Sequence, residues 1–196
     1  MKSDGSAADG KGLHQTTREN NLSLKLGIGS GSENRIKTMG QIGVIGAGNA
    51  SPEEYEAART VGNLIAENHE ILVCGGLFGV MEAACKGARE RKGSTVGIVP
   101  DTGNGNRYLD VVIRTGQGYA RNVIVVQSSD AVIAIGGGHG TLSEIAIALK
   151  TGHPVFGLKT LEIEGVLNCA TPEEAVLMAV RAARLSPGYR TPRAGP

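Results

Sequence analysis

The sequence predicts an α/β fold of three layers, with helices on both faces of a mostly parallel sheet of about seven strands. Three observations predict it. Short apolar runs rich in β-branched residues, such as Ala131–Ile135, have the length and composition of strands covered on both faces. Stretches of helical period alternate with them at short spacing along the chain. Three of the runs lead directly into glycine-rich turns, at Gly46-Ala47-Gly48-Asn49, Gly75–Gly79 and Gly136–Gly140. In such sheets ligands bind beyond the carboxyl ends of the strands, where strand order reverses. Three glycine turns at one edge therefore predict one shared pocket.

In chain order, residues 1–40 are rich in Ser, Gly, Asn, Lys and Thr and read as a disordered or extended segment. Leu22–Leu26 is its one alternating stretch. Gln41–Ile45 is the first strand. Ser51-Pro52-Glu53-Glu54 starts a helix, with Ser51 as N-cap, Pro52 at the first position and Glu54 closing a capping box. That helix runs to about Asn68 and buries Ala57, Ala58, Val61, Leu64 and Ile65. Glu70–Cys74 is the second strand, and Val80–Arg91 a helix that places Val80, Met81, Ala84, Cys85 and Ala88 on one face. Ser94–Val99 and Val111–Arg114 are strands separated by a polar loop over Asp101–Arg107. Tyr119–Gln127 is a helix, Ala131–Ile135 the fifth strand, and Leu142–Lys150 the helix after it. Pro154–Leu158 and Gly165–Cys169 are the last strands. Thr171-Pro172-Glu173-Glu174 repeats the capping-box pattern and starts a helix to about Ala183. The folded domain is expected over residues 41–184, with a mobile tail over 185–196.

Charge and composition exclude several functions. Met1–Gly40 carries six Lys/Arg against four Asp/Glu, and Gln41–Val180 ten against fifteen, so the folded part is mildly acidic. A nucleic-acid-binding core shows the opposite balance, and the scarcity of aromatics argues against base-stacking platforms. The three cysteines, Cys74, Cys85 and Cys169, lack metal-ligand spacing and read as buried thiols. With no apolar run of membrane length and no signal peptide, the expectation is a cytoplasmic protein without metal or membrane contact.

The turn after the fifth strand carries the functional reading. Gly136, Gly137, Gly138 and Gly140 remove all β-carbons but that of His139. The backbone can then approach a ligand closely. The helix that follows turns its free N–H groups and positive dipole end toward the turn, an arrangement suited to phosphate. Gly137, Gly138, Gly140 and Thr141 are the expected phosphate contacts. His139 either donates to the anion or occupies a permissive turn position. Thr141 and Glu144 fit a capping box; the alternative places the Glu144 carboxylate in the pocket as an acid, a base or an acceptor for sugar hydroxyls. Arg121 sits at a helix start, where the dipole disfavours a cation. It is either a ligand-binding donor fork or half of a surface salt bridge. Asn122 offers a further donor. Gly46, Ala47, Gly48 and Asn49 make half of a dinucleotide fingerprint. The third glycine is missing, and Cys74 stands where a ribose-binding acid is needed, so NAD is rejected. Gly75, Gly76 and Gly79 serve either ligand approach or close helix packing.

Gly136-Gly137-Gly138-His139-Gly140-Thr141-Leu142-Ser143-Glu144, with Arg121 upstream, resembles the signature turn of the LOG-like superfamily, also labelled "possible lysine decarboxylase" by name transfer. Cys74–Met81 and Gly97–Pro100 are similar to its other signatures, in order, and the resemblance covers about 41–183. It implies a Rossmann-like fold and a phosphorylated, nucleotide-like ligand. Arg121 and Glu144 match the catalytic pair of the family's phosphoribohydrolases, and Met81 joins the ligand-binding set. Those enzymes cleave the N-glycosidic bond of nucleoside monophosphates or cytokinin riboside monophosphates. Lysine decarboxylation is not the chemistry expected. Three departures point to a second branch: Gly136 in place of Pro, Asn122 in place of Lys, and the Gly46–Asn49 turn. In these the chain is more similar to molybdenum-cofactor carrier proteins. The resemblance thus implies a carrier or storage protein for molybdopterin, with the hydrolase as alternative. It requires no resident cofactor; the bound molecule is a molybdenum cofactor or a nucleoside monophosphate. Assembly as a homodimer or homotetramer is expected.

Overall fold

The structure, a computed structural model, describes residues 39–185. The readings of 1–38 and 186–196, including the alternating stretch at 22–26, lie outside the described residues. The elements run β1 (Gln41–Gly46), α1 (Pro52–Glu67), β2 (Ile71–Cys74), α2 (Val80–Glu90), β3 (Thr95–Val99), β4 (Val111–Arg114), α3 (Arg121–Gln127), β5 (Ala131–Ile135), α4 (His139–Thr151), β6 (Val155–Leu158), β7 (Val166–Asn168) and α5 (Pro172–Leu185). Seven strands form one sheet in the order β4-β3-β2-β1-β5-β6-β7, and every pairing is parallel. Order reverses between β1 and β5, where Ile42 pairs with Ala131 and Gly46 with Ile135. That gap is the topological switch point, the usual place for a ligand.

Burial follows position in the sheet. All five residues of β5 are buried, as are Ile42–Ile45 of central β1. At the edge, β4 leaves Val111 and Ile113 exposed. α1, α2 and α5 pack together on one face, while α3 and α4 pair on the other. Ile45, Val73, Ile98 and Val132 of the sheet form a buried cluster with Val125 and Val126 of α3 and Ile145 and Ala148 of α4. Burying side chains of this kind contributes about 1.5–3 kcal/mol each.

The capping box at α1 is present in both halves: Glu54 N–H donates to Ser51 Oγ at 3.2 Å, and Ser51 N–H to Glu54 Oε2 at 2.7 Å. At α5, Thr171 Oγ1 accepts from Glu174 N–H, but the Glu174 carboxylate accepts from Ala170 N–H, one residue earlier than the motif predicts. β2 begins at Ile71, not Glu70, because the Glu70 N–H is donated back to Ile65 O of α1; its buried carboxylate accepts from Gly40 N–H and Arg184. Ala57 and Leu64 of α1 are only partly buried, and Gly62 and Ala66 are buried in their place. The reason is a close helix crossing. A β-carbon on Gly62 would lie 1.9 Å from the Ala84 carbonyl oxygen, and one on Gly87 equally near that of Arg59. Backbone meets backbone between α1 and α2, rotating the buried stripe toward the two glycines.

Candidate functional site

The three glycine turns meet at the carboxyl edge of the sheet because β2, β1 and β5 are neighbours. A β-carbon on Gly46 would press on the Ile135 carbonyl oxygen, and one on Gly79 on those of Ala47 and Gly48. Val80 N–H donates to Ala47 O at 3.0 Å, tying the start of α2 to the first turn. Gly46 and Gly79 are thus explained by backbone packing, and Gly76 by its φ of +71° and the Val99 side chain against it. Met81 is buried in α2 among the core residues. Gly48 and Asn49 are exposed.

The β5–α4 turn is built differently. Gly136 has φ +54°, and a β-carbon there would overlap Glu54 Oε1 at 1.8 Å. Proline, fixed near φ −65°, cannot take this position, which explains the Gly136 departure from the signature. Gly136 N–H donates to Leu158 O, and Thr160 Oγ1 donates to Gly136 O at 2.6 Å, so the turn is anchored from β6. α4 then starts at His139, three residues earlier than its apolar pattern predicts, with Gly138 as N-cap and no side chain capping it. The capping-box reading of Thr141 and Glu144 is therefore corrected. Thr141 lies inside the first turn, buried beneath Gly137, and Glu144 bonds elsewhere. β-carbons added to Gly138 or Gly140 would meet nothing within 4 Å, and His139 is exposed. The α4 start thus has room beside its glycines and no side chain capping its first N–H groups.

Next to this mouth lies a buried ion pair. Arg121 Nη1 and Glu144 Oε1 are 3.3 Å apart, with each side chain 8% exposed. This overturns the surface-salt-bridge alternative for Arg121. Its guanidinium lies over Gly75, where a β-carbon would sit 2.3 Å from Nη1. Gly75 is thus a slot for the arginine. Arg121 Nε is buried and has no hydrogen-bond partner among the described residues. Burial pushes the Glu144 carboxyl up to about 7, with the Arg121 charge and hydrogen bond offsetting only part of the effect. The pair therefore offers an uncommitted donor and a group present in both protonation states near neutral pH.

Asn122 lies in the first turn of α3 and is buried. Its Nδ2 donates to Ser143 Oγ at 2.8 Å, and Ser143 Oγ donates to Gly140 O at 2.7 Å. Asn122 steadies the first turn of α4 from α3 with one of its two amide N–H groups. Sequence reasoning missed Glu54, Thr160 and Ser143 as parts of the turn, because no spacing rule links α1, β6 and β5. It also missed that Cys74 and Cys85 touch, Sγ to Sγ at 3.5 Å, beneath the β2 turn. Contact with Cys74 and burial push the Cys85 thiol up, so it stays protonated. Among the described residues no group of three or more His, Cys, Asp or Glu is placed to hold a metal, and no helix is long and apolar enough to cross a membrane.

The arrangement can hold an anion at the α4 mouth and present a donor and a titrating carboxyl beside it. The chain is similar to known proteins in sequence and in structure. An uncharacterised protein of Archaeoglobus fulgidus is 54% identical over 138 residues, covering 69% of this chain and 91% of that protein. The molybdenum cofactor binding protein of Rippkaea orientalis superposes with TM-score 0.69 at 39% identity, over 73% of this chain and 96% of its own. The molybdenum cofactor carrier protein of Chlamydomonas reinhardtii superposes with TM-score 0.68 at 35% identity, over 73% and 98%. A probable cytokinin riboside 5′-monophosphate phosphoribohydrolase of Oryza sativa is 28% identical over 86 residues, 42% of this chain and 38% of that protein. The SLOG cluster4 family model matches residues 39–184. The shared three-layer Rossmann-like fold, the signature turn and this match together establish that the chain belongs to the SLOG cluster4 family.

Proposed function

We propose that this chain binds a phosphorylated, pterin-bearing ligand of the molybdenum-cofactor type and serves as its carrier or storage protein. The observation that carries this reading is the α4 mouth. Gly138 and Gly140 are open, the helix end is uncapped by any side chain, and the dipole there favours an anion. The orphaned Nε of buried Arg121 is a second donor suited to a ligand's oxygen. The bound molecule is cargo; the protein's part is to hold its phosphate on the amides of Gly138, His139, Gly140 and Thr141 and to shield the rest at the carboxyl edge of the sheet. Two solved relatives named for molybdenum-cofactor binding and carriage support the choice of ligand.

One observation favours a second reading, the N-glycosidic hydrolysis of nucleoside 5′-monophosphates. Glu144 titrates at about 7, near the optimum for a general acid or base at neutral pH. A carboxyl beside a ribose can protonate a leaving base or steady an oxocarbenium-like state, as in glycosidases. Assembly as a homodimer or homotetramer in the cytoplasm belongs to the same proposal and is checked by sedimentation. The two readings separate in one experiment. Purified protein is incubated with a panel of nucleoside monophosphates and, in parallel, with molybdopterin. Melting-temperature gain with molybdopterin and no release of free base supports the carrier. Base release that Glu144→Gln abolishes overturns it in favour of the hydrolase.

A further inference from the structure

A second feature meets the β5–α4 turn from the α1 side. Glu53, Glu54 and Ala57 of α1, Ile135 of β5, Leu158 of β6 and Pro172 of α5 line a recess of about 220 Å³. Its lining is mostly apolar and includes two carboxylates. They are not equivalent. Glu53 is paired with Lys159, which also lines the recess. Glu54 has no cationic partner among the described residues. Its Oε2 accepts from Ser51 N–H at 2.7 Å, which fixes the side chain, while Oε1 lies against Gly136 with no described donor. A carboxylate has about four lone-pair sites, so the cap leaves Glu54 with acceptor capacity at the recess.

We propose that this recess, with Glu54 as the reading group, takes the heterocycle of the ligand and selects the 2-amino-4-oxopyrimidine edge shared by guanine and pterins. The inference rests on the phosphate reading above and adds the identity of the other end. That edge carries a ring N–H and an exocyclic NH₂ side by side, a donor pair matched to a carboxylate. Adenine presents an acceptor at the corresponding ring nitrogen, which faces the carboxylate unfavourably. The apolar lining of Ala57, Ile135 and Leu158 suits the flat body of the ring. The carboxylate of Glu54 repels phosphate, so the charged end of the ligand is directed to the α4 mouth. The two subsites are close. Gly136, which Glu54 touches, and Gly138, at the mouth, are two residues apart, and a two-step Cα separation is at most about 7.6 Å. The proposal has one mononucleotide reach from the recess to the mouth.

The test is calorimetric titration of the full chain with GMP, IMP, AMP and inorganic phosphate, for wild type, Glu54→Gln and Ala57→Leu. Gln at position 54 still accepts from Ser51 N–H, so α1 keeps its cap. Ala57→Leu adds bulk to the recess lining at a residue outside the turn. Wild type is expected to bind GMP at least ten-fold more tightly than AMP, with IMP between. Both variants are expected to lose that preference while keeping the affinity for inorganic phosphate. Equal binding of GMP and AMP by wild type, or an unchanged preference in both variants, overturns the inference and leaves the phosphate reading standing. Failure of inorganic phosphate and all three nucleotides to bind wild type overturns both.

Discussion

Glu144→Gln exchanges a titrating carboxyl for a neutral amide of the same shape, and its effect on stability is set by burial. In the folded protein Glu144 titrates at about 7, against 4.5 for an unperturbed glutamate. The folded state therefore binds this proton more tightly than the unfolded chain does. The stabilisation is complete below about pH 4.5 and is lost as pH rises through about 7. Each pH unit of that gap corresponds to about 1.4 kcal/mol, so wild type gives up about 3 kcal/mol that the variant keeps. With both side chains of the pair only 8% exposed, solvent screening removes little of this. The assay is urea unfolding of both proteins at intervals from pH 4.5 to pH 8. The two are expected to be nearly equal at pH 4.5, with the variant about 3 kcal/mol more stable at pH 8. A difference that stays constant across the range would refute the reasoning. Glu144 would then be an ordinary ionised carboxylate held by Arg121, not a group poised between two states.

Three further substitutions probe the geometry. Gly140→Asp meets no neighbouring atom within 4 Å, and an acid in the first turn of a helix is favourable; stability should change by less than about 1 kcal/mol while protection against thermal unfolding by phosphate disappears. Gly75→Ala drives a methyl into the Arg121 guanidinium and should cost about 1–3 kcal/mol in urea unfolding, together with weakened binding of nucleoside monophosphates by calorimetry. Gly136→Pro restores the residue of the signature turn but demands φ near −65° where the chain has +54°, and removes the N–H bonded to Leu158; a loss of about 3 kcal/mol or more is expected in the same unfolding assay.

The fold was readable because its signals are local. The β-branched run Ala131–Ile135, the Ser51–Glu54 capping box and the glycines after strands each specify their own backbone, and a parallel sheet is the arrangement that joins them. The SLOG-type turn and its companion Arg121 were readable for the same reason. What the sequence hid is non-local. Thr141 and Glu144 fit a capping box by spacing, yet the buried guanidinium of Arg121, brought over Gly75 by the β2–β1–β5 order, claims the carboxylate instead. Helix α4 then starts earlier, since Gly138 and Gly140 raise no steric objection and Asn122 and Ser143 hold the first turn from α3. Glu54 showed in the sequence only as a cap; its contact with Gly136 depends on where α1 crosses β5. The Gly62 and Gly87 crossing is a relation between two helices that neither helix's periodicity contains.

The claim on which the account stands is an anion held by backbone N–H groups at the mouth of α4. Amide NMR of the isotopically labelled protein, titrated with inorganic phosphate at constant ionic strength, tests it residue by residue. The account predicts saturable shifts that are largest at Gly138, His139, Gly140 and Thr141 and absent in the Gly140→Asp variant. Shifts centred elsewhere in the fold, or none at those four amides at saturating phosphate, would contradict it.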